Sequence, residues 1–375
     1  MSKSNLRTSL GQVTKILLPH SLHEQDERFQ RAFAELEAGI KQRAFPGASV
    51  AITCQGKLIA LKAFGHFTYE IDSPEVSVET VFDLASVTKA IATTSSCMLL
   101  FEQGLLDLKQ PLVEVLQQFS GSDPRRNRIT FEMLLAHSSG LPAYVRLFET
   151  ARDKEQLLRQ AFAVPLASVP GSHAAYSDIG FILLGEAIER LMGEPLDQYC
   201  QREVFGQLGL AYLRFKPPDD WKPKIPPTEQ QQPLRPYIIQ GEVNDENAFV
   251  MGGVAAHAGC FGTALDLASF AECMLRTGDP LFKGHTVELF TRVKTSPPGS
   301  SRALGWDTPS APSQSGRYLS RKSFGHLGYT GTSLWIDPER QLSVTLLTNR
   351  TWPDRGSQTI KSIRPAFHDA VVEAL

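Results

Sequence analysis

Residues 81–92 of this chain, the segment most informative about its architecture, read Val81-Phe82-Asp83-Leu84-Ala85-Ser86-Val87-Thr88-Lys89-Ala90-Ile91-Ala92. Neither Pro nor Gly occurs over residues 90–103, so the spacing predicts a helix that ends at Gly104. Ser86 would lie in its first turn, and because residues three apart share one helix face, the Lys89 amine is expected beside the Ser86 hydroxyl. A lysine with a lowered pKa can take the serine proton, and the helix N-terminus supplies N–H groups for an oxyanion. The stretch therefore predicts a nucleophilic serine.

Taken alone, Ser-x-x-Lys is more often a serine N-cap followed by an exposed lysine. Two companion motifs favour the nucleophile. Tyr176-Ser177-Asp178 and His326-Leu327-Gly328 stand where serine β-lactamases and penicillin-binding proteins carry Ser-Asp-Asn and Lys-Thr-Gly. Around them the chain resembles the class C β-lactamase and D,D-peptidase superfamily of serine hydrolases, especially its esterase-like members. Further matching stretches lie at residues 45–50, 134–142, 257–268 and 328–338.

The resemblance implies a serine hydrolase of the β-lactamase/transpeptidase-like fold, an α/β (α+β) protein. It also implies that carboxylic esters or small amides are cleaved through an acyl-Ser86 intermediate, with Lys89 and Tyr176 as general base and acid. In this interpretation the Lys89 ammonium holds the phenolate form of Tyr176. Gly328 belongs to the strand beside the substrate, and the N–H groups of Ser86 and Tyr329 are candidate oxyanion donors.

Two positions depart from the family pattern. Asp178 stands where the family usually has Asn, which removes an amide donor to the substrate and adds an anion that could keep Lys89 protonated. By itself, Asp178 also fits the N-cap of the following helix. His326 replaces the usual Lys and is expected to contact substrate as a mostly neutral imidazole. Since a neutral imidazole binds a carboxylate less strongly than an ammonium does, the sequence predicts a preference for uncharged esters.

Two other histidines have competing interpretations. His137 is expected to order its loop by hydrogen bonding rather than to take part in the chemistry. His257 is expected to pair with Asp245 and support the cleft, while a Ser86-His257-Asp245 triad is the alternative that only geometry decides. The Gly-x-Ser-x-Gly motif of α/β-hydrolases is absent around Ser86.

Composition excludes several other classes of function. The chain has 375 residues, 42% hydrophobic and 21% charged, with a net charge of −2, so it is an ordinary globular chain and no nucleic acid partner is expected. Its five cysteines contain no Cys-x-x-Cys pair, and neither a metal nor another cofactor is expected. With no apolar run near 18 residues and no signal-peptide core, we expect no membrane partner and a cytoplasmic location. The oligomeric state is left open.

Apolar spacing and turn residues predict the architecture. A helix over 26–42 and another near 357–373 are expected to pack on one face of an antiparallel sheet. That sheet would combine two hairpins, 48–53 with 57–64 and 333–337 with 341–348. Further helices are predicted at 130–137, 155–163, 178–192, 196–206 and 264–276. The predicted domains are a lead segment 1–25, a discontinuous α/β domain of 26–90 and 300–375, and an inserted α-rich domain 91–299. The Pro-rich segment 217–236 is either a surface loop or a wall of the substrate cleft.

The leading hypothesis is therefore hydrolysis of an ester or small amide. The alternatives are a β-lactamase, a D-amino-acid peptidase or amidase, an acyltransferase that uses another alcohol, and a sensor whose acyl adduct persists without turnover.

Overall fold

The computed structural model describes Leu17 and residues 22–375. Its strands are β1 (Gly47–Cys54), β2 (Lys57–Gly65), β3 (Phe82–Asp83), β4 (Arg214–Phe215), β5 (Cys260–Gly262), β6 (Phe324–Leu327), β7 (Ser333–Asp337) and β8 (Leu342–Thr348). Five of them form an antiparallel sheet in the order β2-β1-β8-β7-β6, and a smaller sheet has the order β3-β5-β4. Because β3 ends shortly before Ser86, the smaller sheet fixes the segment that carries this serine.

Both predicted hairpins are present, and they share one sheet. At the first turn Gln55 and Gly56 have φ values of 52° and 76°, the left-handed conformation that a tight two-residue turn requires. β1 pairs directly with β8, and Ala48 lies opposite Thr348. A strand from the first part of the chain and one from its last part are therefore neighbours in the sheet. The turn between β6 and β7 contacts the end of β3 and the residue that follows it.

The helices of the described residues are α1 (Gln25–Arg28), α2 (Gln30–Lys41), α3 (Ser95–Glu102), α4 (Leu112–Val115), α5 (Phe131–Leu135), α6 (Lys154–Ala163), α7 (Asp178–Met192), α8 (Leu196–Cys200), α9 (Glu246–Val250), α10 (Ala264–Leu275), α11 (Gly284–Thr291) and α12 (Ile360–Glu373). Two π-helical segments, Lys89–Thr94 and Gln201–Phe205, lead into α3 and follow α8. Short 3-10 turns occupy Gln117–Phe119, Pro124–Arg128, Leu147–Glu149 and Asp219–Lys224.

The larger sheet lies between helices. Alternate residues of a strand point to opposite faces, and Val50 and Ile52 of β1 pack with Phe33 of α2 and Phe367 of α12. Ala51 points the other way, into the core cluster that contains α10. One face of the sheet is thus covered by the first and last long helices, as the sequence predicts.

The start and end of α7 show why its bounds could be predicted. The Ser177 side chain caps the first turn by accepting a hydrogen bond from the Gly180 N–H (3.0 Å), and Gly193 ends the helix with φ +73°. The interpretation of Asp178 as the N-cap is therefore wrong, because Ser177 fills that position. The Asp178 carboxylate is left available for another contact.

The predicted fold class, an antiparallel sheet flanked by helices, is confirmed. The domain boundaries stay a prediction, and the lead segment 1–25 lies mostly outside the described residues. Residues 217–236, predicted to be a surface loop or a wall of the substrate cleft, contain one 3-10 turn. No helix among the described residues is both long and apolar enough to span a bilayer.

Candidate active site

Ser86 follows a strained turn. Ala85 has φ +45°, a conformation that residues with a side chain rarely adopt. The buried Asp83 carboxylate holds this turn, because it accepts hydrogen bonds from the N–H groups of Ala85 (2.8 Å) and Asn244 (2.6 Å). Burial raises the pKa of Asp83 to about 6, against the effect of these two hydrogen bonds. The strain and the anchoring together fix the direction of the Ser86 side chain.

The fully buried Lys89 amine has three oxygen neighbours. Nζ lies 3.0 Å from Ser86 Oγ, 2.8 Å from the His257 carbonyl oxygen and 2.6 Å from Asp178 Oδ1. Burial lowers the pKa of Lys89, and the negative charge of Asp178 opposes that shift. An ammonium group would donate to all three oxygens, whereas a neutral amine would donate to two and accept from the Ser86 hydroxyl. A proton can therefore pass between Ser86 and Lys89 while every other contact is kept.

Lys89 begins a π-helical segment where the sequence predicts ordinary helix. Nearby hydroxyls bond its backbone carbonyls, with Thr94 Oγ1 donating to Lys89 O (2.8 Å) and Ser96 Oγ to Ala92 O (2.9 Å). Such wide turns are rare and occur often at functional sites. Here the segment presents the Lys89 side chain to the interior between Ser86 and α7.

Tyr176 completes the contact with the serine. Its hydroxyl lies 2.8 Å from Ser86 Oγ. The His137 ring packs against the Tyr176 ring at 4.7 Å, and His137 Nδ1 accepts a hydrogen bond from the Ser177 N–H (3.0 Å). His137 thus orders the loop that carries Tyr176. Burial raises the pKa of Tyr176 well above its usual range, and the Asp178 charge adds to this, so the phenol is neutral at rest.

The β6–β7 turn lies against the segment that leads to Ser86. Thr330 Oγ1 donates to Asp83 O (2.7 Å) and Thr332 Oγ1 to Leu84 O (2.9 Å). Gly328 allows this approach, because a Cβ there would lie 2.5 Å from Leu84 O. Within residues 22–375, neither the Ser86 N–H nor the exposed Tyr329 N–H donates a hydrogen bond. The Ser86 segment and the β6–β7 turn lie against each other, and each therefore carries one backbone N–H group that is available to an acceptor.

His326 is buried and lines the same cavity. Its Nδ1 lies 2.8 Å from the Leu327 carbonyl oxygen, which can only accept, so Nδ1 carries the proton. Nε2 is then an acceptor, and it has no partner in the described part of the chain. Burial lowers the pKa of His326 to about 3, and the Lys89 charge acts in the same direction. The imidazole is neutral, as expected.

The structure does not form the alternative triad. His257 Nε2 lies 2.8 Å from Asp245 Oδ1, and the hydrogen bonds of Ser86 Oγ run to Lys89 and Tyr176. His257 contributes to the site through its backbone carbonyl oxygen, which accepts a hydrogen bond from Lys89 Nζ. The predicted Asp245–His257 pair therefore supports the cleft by fixing that carbonyl.

These groups open into one cavity of about 680 Å³. Among the predicted site residues, Ser86, Tyr176, Asp178, His326, Gly328 and Tyr329 line it, and Lys89 lies beneath Ser86. The Pro-rich segment 217–236 contributes no lining residue, although its Glu229 pairs with the lining Arg355. Sequence reasoning missed Asp83, whose only signal is an acidic residue directly before the motif. It also missed the cations of the cavity wall.

Comparisons with known proteins identify the family of this chain. The beta-lactamase family profile matches residues 29–364. The N-acetylmuramyl-L-alanine amidase of Bacillus subtilis (strain 168) is 33% identical over 343 residues, which cover 82% of this chain and 77% of that protein. A protein of Escherichia coli (strain K12) named "Putative D-alanyl-D-alanine carboxypeptidase" is 31% identical, over 82% of this chain and 79% of its own.

Solved structures match over most of the chain. The hydrolase EstCE1, described as having promiscuous acyltransferase activity, superposes with a TM-score of 0.75 at 24% identity and covers 92% of this chain and 99% of its own. At this identity the likeness concerns the fold. The family match and the fold together define a serine hydrolase. The chain belongs to the beta-lactamase family of serine hydrolases.

Proposed function

We propose that the protein cleaves carboxylic esters or small amides through an acyl-Ser86 intermediate, with carboxylesterase activity as its simplest form. One observation carries the proposal: Ser86 Oγ lies within hydrogen-bond distance of both Lys89 Nζ (3.0 Å) and Tyr176 Oη (2.8 Å), in a cavity large enough for a substrate. Proton transfer in catalysis needs this reach. A role in binding alone would need neither a base nor an acid at the serine.

In acylation, Ser86 Oγ attacks the substrate carbonyl carbon while its proton passes to Lys89. Burial favours the neutral amine that can accept this proton, and Asp178 stabilises the ammonium that results. The carbonyl oxygen becomes an oxyanion, which the N–H groups of Ser86 and Tyr329 can bind. Tyr176 donates its proton to the leaving oxygen or nitrogen and regains one from Lys89, so the departing group leaves as a neutral alcohol or amine.

Deacylation uses the same groups, with water as the nucleophile and Ser86 Oγ as the leaving group. A water molecule attacks the acyl carbon and gives its proton to Lys89, either directly or through Tyr176. Ser86 Oγ then leaves the tetrahedral carbon and takes a proton back, which releases the carboxylic acid. The raised pKa of Tyr176 favours a phenol that relays protons over a phenolate that persists between turnovers. This assignment gives Lys89 the base role and Tyr176 the relay role.

Amide cleavage is the second candidate. His326 lines the cavity, and its Nε2 is a buried acceptor without a partner in the described residues. A substrate N–H would satisfy it, whereas an ester has no donor at that place. The amidase name of the Bacillus subtilis relative supports the same candidate. Asp178, as an anion beside Lys89, replaces the amide that would otherwise contact the substrate carbonyl.

Intact-mass measurement tests the proposal. The protein is exposed separately to a fluorophosphonate, a short-chain nitrophenyl ester and a penicillin, and the modified peptide is identified. We expect a fluorophosphonate adduct on the peptide that contains Ser86, and turnover of the ester without a lasting adduct. A penicillin adduct that hydrolyses rapidly would favour a β-lactamase, and an ester adduct that persists would favour the sensor. Absence of any adduct on Ser86 contradicts the proposal.

We also propose the cytoplasm as its location. The five cysteines are all free thiols, and all except the half-buried Cys54 are buried. Unpaired thiols are typical of a reducing compartment. Cell fractionation with an antibody against the protein tests this, and recovery from the extracellular fraction would contradict it.

A further inference from the structure

Asp83 is a buried carboxylate at the end of β3, three residues before Ser86, and it is 2% exposed. Its Oδ1 accepts a hydrogen bond from the Ala85 N–H (2.8 Å), and its Oδ2 accepts one from the Asn244 N–H (2.6 Å). Both partners are neutral backbone groups, and they come from distant parts of the sequence. The carboxylate therefore ties the turn before the nucleophile to the segment that leads into α9.

The same segment is held from its other side by Arg235, which is 1% exposed. Arg235 Nη2 donates to the Asn244 carbonyl oxygen (2.7 Å), and Nη1 donates to the Val243 carbonyl oxygen (2.7 Å). Asp83 and Arg235 thus bind the N–H and the carbonyl group of one buried residue, Asn244. Since the chain continues directly from Asn244, these contacts also fix the backbone position of Asp245.

Asp245 extends this arrangement to the proposed base. Its Oδ1 lies 2.8 Å from His257 Nε2, and the His257 carbonyl oxygen accepts a hydrogen bond from Lys89 Nζ (2.8 Å). A continuous set of contacts therefore runs from Asp83 through the Asp245–His257 pair to Lys89. The backbone joins the same Asp83 to Ser86, so one carboxylate is connected to both partners of the proton transfer.

The Asp83 segment contains two features that are unfavourable for folding. Burial raises the pKa of Asp83 to about 6, so above that pH the ionised carboxylate lowers the stability of the folded chain. Ala85, with φ +45°, is in a conformation that is strained for a residue with a side chain. Such strain is found most often at active sites, where the function requires it. The two features together indicate that this segment serves the reaction more than stability.

We propose that Asp83 is a positioning residue, whose carboxylate aligns Ser86 with Lys89 by holding the Ala85 turn and the Asn244 segment at once. This inference rests on the proposed function at Ser86. A carboxylate accepts from both N–H groups, whereas an amide accepts through its oxygen alone and would turn its NH2 group toward the second donor. Without the second hydrogen bond the strained turn relaxes, and Ser86 Oγ moves away from Lys89 Nζ.

Asp83→Asn and Asp266→Asn form a matched pair. Asp266 is also buried, it also has a pKa raised to about 6 by burial, and it accepts a hydrogen bond from Thr263 at the start of α10. For a nitrophenyl ester we expect kcat to fall about tenfold or more in Asp83→Asn, with KM changed less than about threefold. In Asp266→Asn we expect kcat to change less than about twofold. Equal losses of kcat in the two variants overturn the inference, because Asp83 would then act through stability alone.

A glycine at position 85 provides a rescue that a purely structural role would not give. Glycine adopts φ +45° without strain, so Asp83→Asn/Ala85→Gly keeps the native turn more readily than Asp83→Asn does. We expect kcat of the double variant to be at least about threefold higher than that of Asp83→Asn. The same glycine should restore nothing in Tyr176→Phe, where Asp83 still holds the turn. No gain in the first background, or an equal gain in both, overturns the inference.

The rate of fluorophosphonate labelling separates this inference from the proposed function. Labelling of Ser86, followed by intact mass, should slow in Asp83→Asn by about the same factor as kcat. Absence of an adduct in the wild type contradicts the proposed function, whereas equal rate constants in the wild type and Asp83→Asn overturn only the positioning role. If Asp83→Asn does not fold, Arg235→Lys loosens Asn244 from the other side and leaves the Ala85 turn unaltered. An unchanged labelling rate in Arg235→Lys then overturns the inference.

Discussion

At the scale of single residues, the proposed division of roles predicts a graded set of losses. Ser86→Ala should abolish ester turnover, because it removes the oxygen that lies within hydrogen-bond distance of both Lys89 Nζ and Tyr176 Oη. Tyr176→Phe and Lys89→Met should each lower kcat by about a hundredfold or more, the size typical of general acid and base groups. Ser172→Ala, at an exposed serine of the loop before Tyr176, is the control and should retain activity. If Ser86→Ala keeps more than a few per cent of the activity on every ester, the nucleophile is wrongly assigned.

Asp178 predicts a change in the pH profile. Its carboxylate lies 2.6 Å from Lys89 Nζ and raises the pKa of Lys89 against the lowering caused by burial. The base must be neutral to accept a proton, so activity falls as the pH drops through the pKa of Lys89. Asp178→Asn removes the charge, lets that pKa fall, and should move the acidic limb of kcat/KM to lower pH.

The pH profile of an uncharged nitrophenyl ester in wild type and Asp178→Asn measures this shift. Glu189→Gln is a control, since it removes the carboxylate of a distant pair with Lys154. It should leave the limb in place. An acidic limb that moves to higher pH in Asp178→Asn would mean that Lys89 is not the group whose deprotonation controls the reaction.

At the scale of elements, the close contact between the β6–β7 turn and the Ser86 segment predicts that a side chain at residue 328 lowers activity. Gly328→Ala would place a Cβ 2.0 Å from Thr332 Oγ1 and 2.5 Å from Leu84 O, so the turn must move away from the Ser86 segment. We expect a loss in kcat larger than the change in KM, because the Tyr329 N–H would leave the oxyanion position. Gly284→Ala is the matched control, since the nearest atom to its Cβ would be 3.6 Å away. Equal effects of the two substitutions on kcat would exclude this role of the turn.

Elements with local signals could be predicted, and those that depend on distant contacts could not. The sequence predicts helix α7 at its observed bounds, because its signals are local. Ser177 and Gly193 flank the helix directly, and the apolar pattern runs between them. The π-helical segment at Lys89 was missed, since its side chains bond residues far away in sequence: Lys89 Nζ donates to His257 O (2.8 Å) and Thr93 Oγ1 to Ala256 O (2.7 Å). The proximity of Arg350 and Arg364 in the cavity wall was missed for the same reason, because it depends on how the segment after β8 lies against α12.

At the scale of the whole molecule, the core predicts that the chain unfolds as one unit. We propose two structural domains, one formed by residues 26–90 and 300–375 and the other by residues 91–299. The larger hydrophobic core cluster contains residues of both domains. It joins Leu61 and Val81 to Leu184 and Phe131 and to Leu334 of the final strands. A shared core favours a single cooperative transition, because neither part can lose its packing without exposing the other.

Urea unfolding of wild type and Phe367→Ala tests this unity. Phe367 is fully buried between α12 and the sheet, so its truncation should cost about 3–5 kcal/mol of unfolding free energy. Val169→Ala, at a residue 49% exposed, should cost less than about 0.5 kcal/mol. Helix signal, tryptophan fluorescence and esterase activity should lose half their amplitude at one urea concentration in each protein, and Phe367→Ala should lower all three midpoints together. Since Ser86, Tyr176 and His326 come from both proposed domains, an activity midpoint well below the helix midpoint would show that the α-rich part unfolds alone.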